Sequence, residues 1–261
     1  MKKSLLVSMT MILFSLSSFA ATYNAASKVE TIGKNLLTKN GITSVIKFET
    51  TSKSVDNSTF SQDRTVSISK EDLKYALNDN ETASVIANEL GHIITGHASK
   101  GKLISSFTGT SSSDTVASAV VNSYTNLKEE KEADVVAVNL MANAGYNPLA
   151  GIVVLTRQTQ TSWNAILGKP ANADRAMNIY DYTGYAYPAK LKAGYNCNEY
   201  KNFLTYTNTV LNERKSNTKL QKKSTKELAK YRKNSVSQIS KFKTRGGLSG
   251  WDAAYGLLNG Q

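Results

Sequence analysis

The sequence predicts a mainly helical α+β fold, in which a small sheet lies beside a central helix and a second, long helix. Long stretches repeat apolar residues at helical spacing, two short runs alternate apolar and polar residues as half-buried strands do, and the last part of the chain is rich in lysine. We expect three segments: a leader over residues 1–20, a main domain over 21–198, and a basic helical, Gly-rich extension over 199–261.

The first 20 residues have the three parts of a secretory signal peptide. Two lysines precede an apolar run from Leu5 to Phe14, and small residues precede Ala21. We therefore expect an exported protein that is periplasmic or extracellular after cleavage. Cys197 is the single cysteine of the chain, so an intramolecular disulfide is excluded.

The first elements after the leader are one helix and two strands. A helix is expected from Tyr23 to Asn40, where the following Gly41 supplies a left-handed stop. Alternation over Ser44–Thr50 and Arg64–Ser69 predicts two strands of a small sheet. Lys70–Leu77 then favours a short helix.

Two long helices follow. The polar run Asn78–Asn80 suits the N-cap of a central helix from about Glu81 to His97, which carries a broad apolar stripe. The small polar residues Ser105–Ser113 predict a loop. A long helix is expected from Thr115 to Ala144, and Asn147-Pro148 predicts the N-cap and first position of another.

Asn88, Glu89 and His92 are the first residues that predict chemistry. Positions four apart lie on one face of a helix, so Asn88 and His92 point the same way and Glu89 lies beside them. This is the arrangement of the H-E-x-x-H motif, in which two histidines hold zinc and the glutamate accepts a proton from water. Asparagine stands here at the first position, and its amide oxygen is a weaker zinc ligand than imidazole.

A third ligand is expected on the long second helix, because a catalytic zinc takes three protein ligands and keeps one open position. Glu130 and Asp134 lie one turn apart there, so one carboxylate could bind the metal while the other orients a histidine. His97 is not expected to join them, since five residues of continuous helix turn it about 140° from His92. We expect His97 to be a structural residue at the helix end.

Four segments occur in the order and spacing of metallopeptidase family 48, which includes the CAAX prenyl protease, HtpX and exported relatives. They are Glu81–His97, Glu130–Asp134, the Ala-Gly-Tyr-Asn-Pro turn Ala144–Pro148, and Lys169–Arg175. The chain resembles this family over about Val29–Tyr187. The resemblance implies a zincin-like peptidase domain that holds one zinc ion.

The resemblance also implies a role for each matching residue. Glu89 would be the general base, His92 and Glu130 zinc ligands, Asp134 the residue that fixes a histidine, and Arg175 a residue packed against the site. Val55–Ser69 would be the edge strand on which an extended substrate lies by strand addition. The chain departs from the family pattern at Asn88, a weak or lost ligand, and at Lys169, where exported relatives often have histidine.

These residues favour an exported zinc-dependent metalloendopeptidase that hydrolyses a peptide or unfolded protein substrate through metal-activated water. The alternative is a catalytically inactive homologue that keeps the cleft and acts as a peptide-binding or chaperone-like envelope protein. Asn88 favours the alternative, whereas the retained carboxylates favour the enzyme.

Charge is unevenly distributed along the chain. Of a formal net charge of +12, the stretch from Lys190 to Arg245 carries fifteen Lys or Arg against three Glu. Such a segment is either a solvated face or a surface attracted to anionic partners. An anionic envelope surface is the partner we expect in the second case, and nucleic acid is not expected in an exported protein.

Overall fold

A computed structural model of the protein describes residues 23–52, 65–97, 116–158 and 170–244, with the backbone alone for 116–126 and 170–171. A short 3₁₀ helix over Ala25–Lys28 precedes the first α-helix. The described elements, in chain order, are α1 Val29–Lys39, β1 Lys47–Thr51, β2 Thr65–Ser69, α2 Lys70–Leu73, α3 Asp79–Thr95, α4 Val116–Asn143, α5 Ala150–Gln158, α6 Pro170–Ala186, α7 Pro188–Ala193, α8 Asn198–Ser216 and α9 Thr218–Thr244. The predicted mainly helical α+β class is confirmed at this level.

The two strands form a parallel sheet in which Phe48 lies opposite Val66. Helix α1 ends before Gly41, whose φ of 65° is the left-handed conformation expected there. Strand β2 is buried along most of its length, and α2 follows it directly. The small sheet was predicted; its parallel direction was not, because alternation of apolar residues does not distinguish the two.

Helix α3 is the central helix of the fold and begins where the polar run predicts. Asn78 is its N-cap and accepts a hydrogen bond from the backbone N–H of Glu81. The Glu81 carboxylate, almost fully buried, pairs with Arg157 of α5. The helix ends at Thr95, because Gly96 has a φ of 74° and reverses the chain.

Helix α4 packs closely along α3 and is buried on two sides. Val136 and Leu140 face a core cluster shared with α1, α3 and the sheet, whereas Val135 and Val138 face a second cluster shared with α5, α6 and α8. Gly91 permits this approach: a Cβ added there would lie 2.5 Å from the carbonyl oxygen of Ala133. The long helix was predicted within one residue at each end.

The turn after α4 differs in detail from the expectation. Gly145 ends the helix with a φ of 90°, as predicted. Helix α5 begins at Ala150, two residues later than expected, since Pro148 and Leu149 form a turn. The Asn147 side chain accepts a hydrogen bond from the Leu149 N–H within that turn.

The basic C-terminal helices belong to the same core as the rest of the chain. Phe203 of α8 is buried in the second cluster, and Ile239 and Phe242 of α9 are buried in the first. Asn139 of α4, also buried, donates to the hydroxyl of Ser235 and accepts hydrogen bonds from Tyr182 and Tyr187. Side-chain packing therefore joins residues 199–244 to the segment before them.

Several expectations lie outside the described residues: the signal peptide, the loop over Ser105–Ser113, Lys169, residues 55–64 of the expected substrate strand, and the Gly-rich end. Within the described ranges, no helix combines the length and apolar character needed to cross a membrane.

Candidate active site

Six residues that the sequence singles out meet around one cavity. The cavity has a volume of about 240 Å³ and is bordered by α3, α4, α5 and α6. Its lining includes Asn88, Glu89, His92, Glu130, Asp134 and Arg175. Helices α3 and α4 bring the first five together, and α6 brings Arg175 from more than 40 residues along the chain.

His92 and Glu130 form one direct contact between helices α3 and α4. The distance from His92 Nε2 to Glu130 Oε1 is 3.3 Å, and the histidine side chain is only 8% exposed. Glu89 also lines this cavity, and one of its carboxylate oxygens is buried. The expected face of one imidazole and two carboxylates is therefore present.

Arg175 joins the two carboxylates of α4. Its guanidinium donates to both oxygens of Asp134, at 2.8 and 2.9 Å, and pairs with Glu130 Oε2 at 2.8 Å. This two-point geometry is the strong form of an arginine–carboxylate pair. Asn178, one turn farther along α6, holds the helix in place by donating to the backbone carbonyl of Lys131.

Asn88 of α3 forms a hydrogen bond with the buried carboxylate Asp134 of α4. Its side-chain Nδ2 donates to Asp134 Oδ1 at 2.9 Å. This hydrogen bond uses the amide nitrogen of Asn88. The amide oxygen, which is the atom of this side chain that could bind a cation, is not used in it. Asp134 thus accepts hydrogen bonds from two side chains while only 3% exposed.

The predicted separation of His97 from His92 is wrong. His97 Nδ1 lies 3.0 Å from His92 Nδ1, with the two rings at 71°. The predicted separation of about 140° assumed a helix that continues through residue 97. The left-handed Gly96 ends the helix first and turns the chain, so His97 reaches the edge of the His92 ring.

Each of the two histidines faces a carboxylate of α4. His92 Nε2 lies 3.3 Å from Glu130 Oε1, and His97 Nε2 lies 3.5 Å from Glu132 Oε2. The two Nδ1 atoms face each other, and the tautomers of the rings decide which of them donates. The sequence did not predict a contact of Glu132 with this site. Glu132 lies two residues after Glu130, and residues two apart point to different sides of a helix.

Charge shapes the pKa values of this cluster. Burial lowers the pKa of His92, but the hydrogen bond and charge of Glu130 outweigh it, and the net shift is upward. Burial raises the pKa of Glu130, but Arg175 and His92 outweigh it and bring the pKa down to about 2. Burial raises the pKa of Asp134, and Arg175 opposes that shift.

Zinc fits one pair of donors in this arrangement. Two ligands of a tetrahedral zinc ion, each about 2.0–2.1 Å from the metal, lie about 3.3 Å apart. That is the separation of His92 Nε2 and Glu130 Oε1. Among the described residues, no three or more His, Cys, Asp or Glu side chains are grouped so that they could hold a metal ion. The donor set is thus a good pair with a weak third candidate, the amide of Asn88.

The cavity is lined by apolar as well as polar side chains. Val85, Met141, Val154 and Ile179 are among the apolar ones, and Asp72 and Gln158 add polar groups. Gln158 Nε2 donates a hydrogen bond to Asp72 Oδ1 at 3.3 Å. The sequence did not single out these residues, because apolar positions on α3 to α6 also form the ordinary core.

The substrate strand expected over Val55–Ser69 is described only for its last five residues. These form β2, and its pairing with β1 occupies one edge. The expected strand addition therefore stays a prediction.

The chain was compared with known proteins at three levels. No protein-family model, no curated protein and no solved structure matches it. The resemblance to metallopeptidase family 48 accordingly stays a prediction that depends on the four motifs alone.

Proposed function

We propose that the protein is an exported metalloendopeptidase that binds one zinc ion between His92 and Glu130 and hydrolyses peptide bonds. The 3.3 Å separation of these two donors carries the proposal, since it fits ligands of one ion. The cavity beside them is large enough to admit a substrate side chain and has Glu89 on its wall.

The chain's own residues would divide the work as follows. Bound zinc would lower the pKa of a water molecule in the cleft. Glu89 would accept a proton from that water and deliver it to the nitrogen of the departing amine. Arg175 would hold Glu130 and Asp134 in place, and His97 would orient His92 through the contact between their Nδ1 atoms.

A second function, peptide binding without catalysis, is favoured by a different observation. Asp134 and Glu130 already have partners in Asn88, Arg175 and His92 without any metal. An ion pair that is complete in itself opposes entry of a cation. With this second function the cavity would bind a peptide, and the ion-paired residues Glu130, Asp134 and Arg175 would form a rigid part of its wall.

One experiment separates the two functions. Zinc content and casein cleavage are measured for the purified protein, for Glu89→Gln, and for Asn88→His. The enzyme predicts stoichiometric zinc and cleavage in the wild type, with cleavage but not zinc lost in Glu89→Gln. Zinc and cleavage in Asn88→His alone would favour the peptide-binding function, and zinc in none of the three proteins would overturn the metal site.

A further inference from the structure

A row of five lysines occupies the outward side of helix α9. Lys219, Lys222, Lys226, Lys230 and Lys233 are all exposed. At 100° per residue they fall within about 80° of the helix circumference, and at 1.5 Å per residue they extend over about 21 Å. We call this set the lysine face.

The opposite side of α9 fixes the lysine face to the body of the protein. Leu228 and Tyr231 pack against the second core cluster, and Ile239 and Phe242 are buried in the first. These residues lie about 170° around the helix from the lysines. The charged row is therefore held outward by packing and belongs to a rigid element.

Within the described residues, none of the ion pairs includes a member of the lysine face. Glu227, the one acid of this helix, points about 100° away and its carboxylate accepts a hydrogen bond from Tyr231. Like charges three and four residues apart destabilise a helix. A solvated face would relieve that repulsion by mixing signs, so this arrangement fits a negatively charged partner.

The shape of this surface selects the kind of partner. None of the five lysines lines any of the three described cavities, which border other sides of α9. Single-stranded polyanions are usually held along a groove, whereas a plane can meet all residues of one exposed helix side at once. We infer that the lysine face docks the protein on a bilayer of anionic phospholipid.

The structure also decides how this is tested. Deleting the basic segment would remove Ile239 and Phe242 from the core, so the loss of binding by a truncated chain would carry no meaning. Replacing the exposed lysines by glutamine leaves the core intact, because these side chains are not part of it. The helix is also kept, because glutamine has nearly the helix propensity of lysine.

Binding to vesicles of phosphatidylcholine with 30% phosphatidylglycerol is measured by sedimentation for three purified proteins. The first is the wild type and the second has all five lysines of the lysine face replaced by glutamine. The third is a control of equal net charge in which five exposed lysines elsewhere are replaced: Lys28, Lys39, Lys47, Lys70 and Lys192.

Each lysine near an anionic surface contributes about fivefold to partitioning at low salt. We expect the vesicle partition coefficient to fall at least a hundredfold when the lysine face is replaced and less than fivefold in the control. Binding of the wild type should be lost at high salt, because salt shortens the screening length. Equal losses in both variants would mean that net charge alone attracts the protein, which overturns the inference. Failure of the wild type to bind the vesicles, or tighter binding to soluble polyphosphate than to vesicles, would overturn it too.

Circular dichroism checks that both variants keep the helix content and melting temperature of the wild type. A smaller variant, with only Lys222, Lys226 and Lys230 replaced, repeats the measurement with less change in charge. An intermediate loss of binding in this protein supports the inference, and no loss contradicts it.

Discussion

At the scale of single residues, the cluster around Asp134 combines two kinds of hydrogen bond on one buried carboxylate. Arg175 contributes two of them and Asn88 a third. The amide of Asn88 makes this orienting contact but lacks the imidazole nitrogen with which a histidine would bind a metal.

Replacing Arg175 by methionine should lower the free energy of unfolding by about 3–5 kcal/mol, because it leaves the buried Asp134 without its charged partner. Urea unfolding at pH 7 measures the change. Arg175→Lys keeps the charge but loses the two-point geometry, so its free energy of unfolding should lie between those of the wild type and Arg175→Met. A loss below about 1 kcal/mol in Arg175→Met would show that Asp134 is held by other groups.

The contribution of Glu130 to stability should depend on pH. Its folded-state pKa is lowered to about 2 from an unfolded value of 4.5, so its stabilising effect is complete above pH 4.5. That effect is lost as the pH falls from 4.5 toward 2. Glu130→Gln should cost about 2 kcal/mol at pH 6, where it breaks hydrogen bonds of a charged group.

The difference in unfolding free energy between wild type and Glu130→Gln should shrink steadily below pH 4.5. Glu30→Gln is the matched control and should change little, because the exposed carboxylate of Glu30 pairs with Lys34 at the surface. A constant difference between the Glu130 proteins from pH 6 to pH 3 would contradict the assigned charge state.

Replacing His97 tests its proposed role as the residue that positions His92. His97→Phe keeps an aromatic ring but removes the nitrogen that shares a hydrogen bond with His92 Nδ1. Loss of such a supporting contact typically reduces metal affinity 10- to 100-fold. Zinc titration of this variant should show that reduction with little change in melting temperature, and unchanged affinity would remove His97 from the site.

At the scale of elements, the sequence predicted the helices that carry the site because their caps and glycines are local signals. Asn78, Gly41 and Gly145 all act where expected. Gly96 is the same kind of signal, but the predicted central helix continues past it to His97. Because the helix ends before Gly96, His97 can contact His92, which a continuous helix would not allow.

The close approach of α3 and α4 depends on Gly91. An alanine there would place its Cβ against the backbone of Ala133, and backbone cannot rotate away as a side chain can. Gly91→Ala should therefore cost about 1–3 kcal/mol and widen the gap between His92 and Glu130. Thermal unfolding and zinc titration measure the two effects.

Gly145→Ala is the matched control for that experiment. Its φ of 90° is strained for alanine, but nothing lies within 4 Å of the added carbon. We expect a cost of about 1 kcal/mol and no change in zinc affinity. Equal effects of the two substitutions would show that the helix spacing does not control the site.

At the scale of the whole molecule, the amino-acid composition predicts that the basic segment is separate from the main domain. In the structure, helices α8 and α9 pack into the two core clusters of that domain. The apolar residues of the basic segment are sparse, and only the fold shows that Ile239 and Phe242 complete the first cluster. Long-range contacts of this kind leave no local pattern. The pairing of Asn139 with Ser235, 96 residues apart, is equally invisible in sequence.

Phe242→Ala should lower the free energy of unfolding by about 3–5 kcal/mol, since the side chain is fully buried. Val236→Ala, on an exposed part of the same helix, should change it by less than about 0.5 kcal/mol. Chemical unfolding followed by circular dichroism compares them. Similar small effects would mean that α9 is attached only loosely to the core.

The buried end of α9 also has a consequence in time. Ile239 and Phe242 share a cluster with Val29 and Ile32, which are made some 200 residues earlier. A ribosome-bound chain that has not yet released residue 242 cannot close this cluster, so this part of the core folds only after α9 has been made.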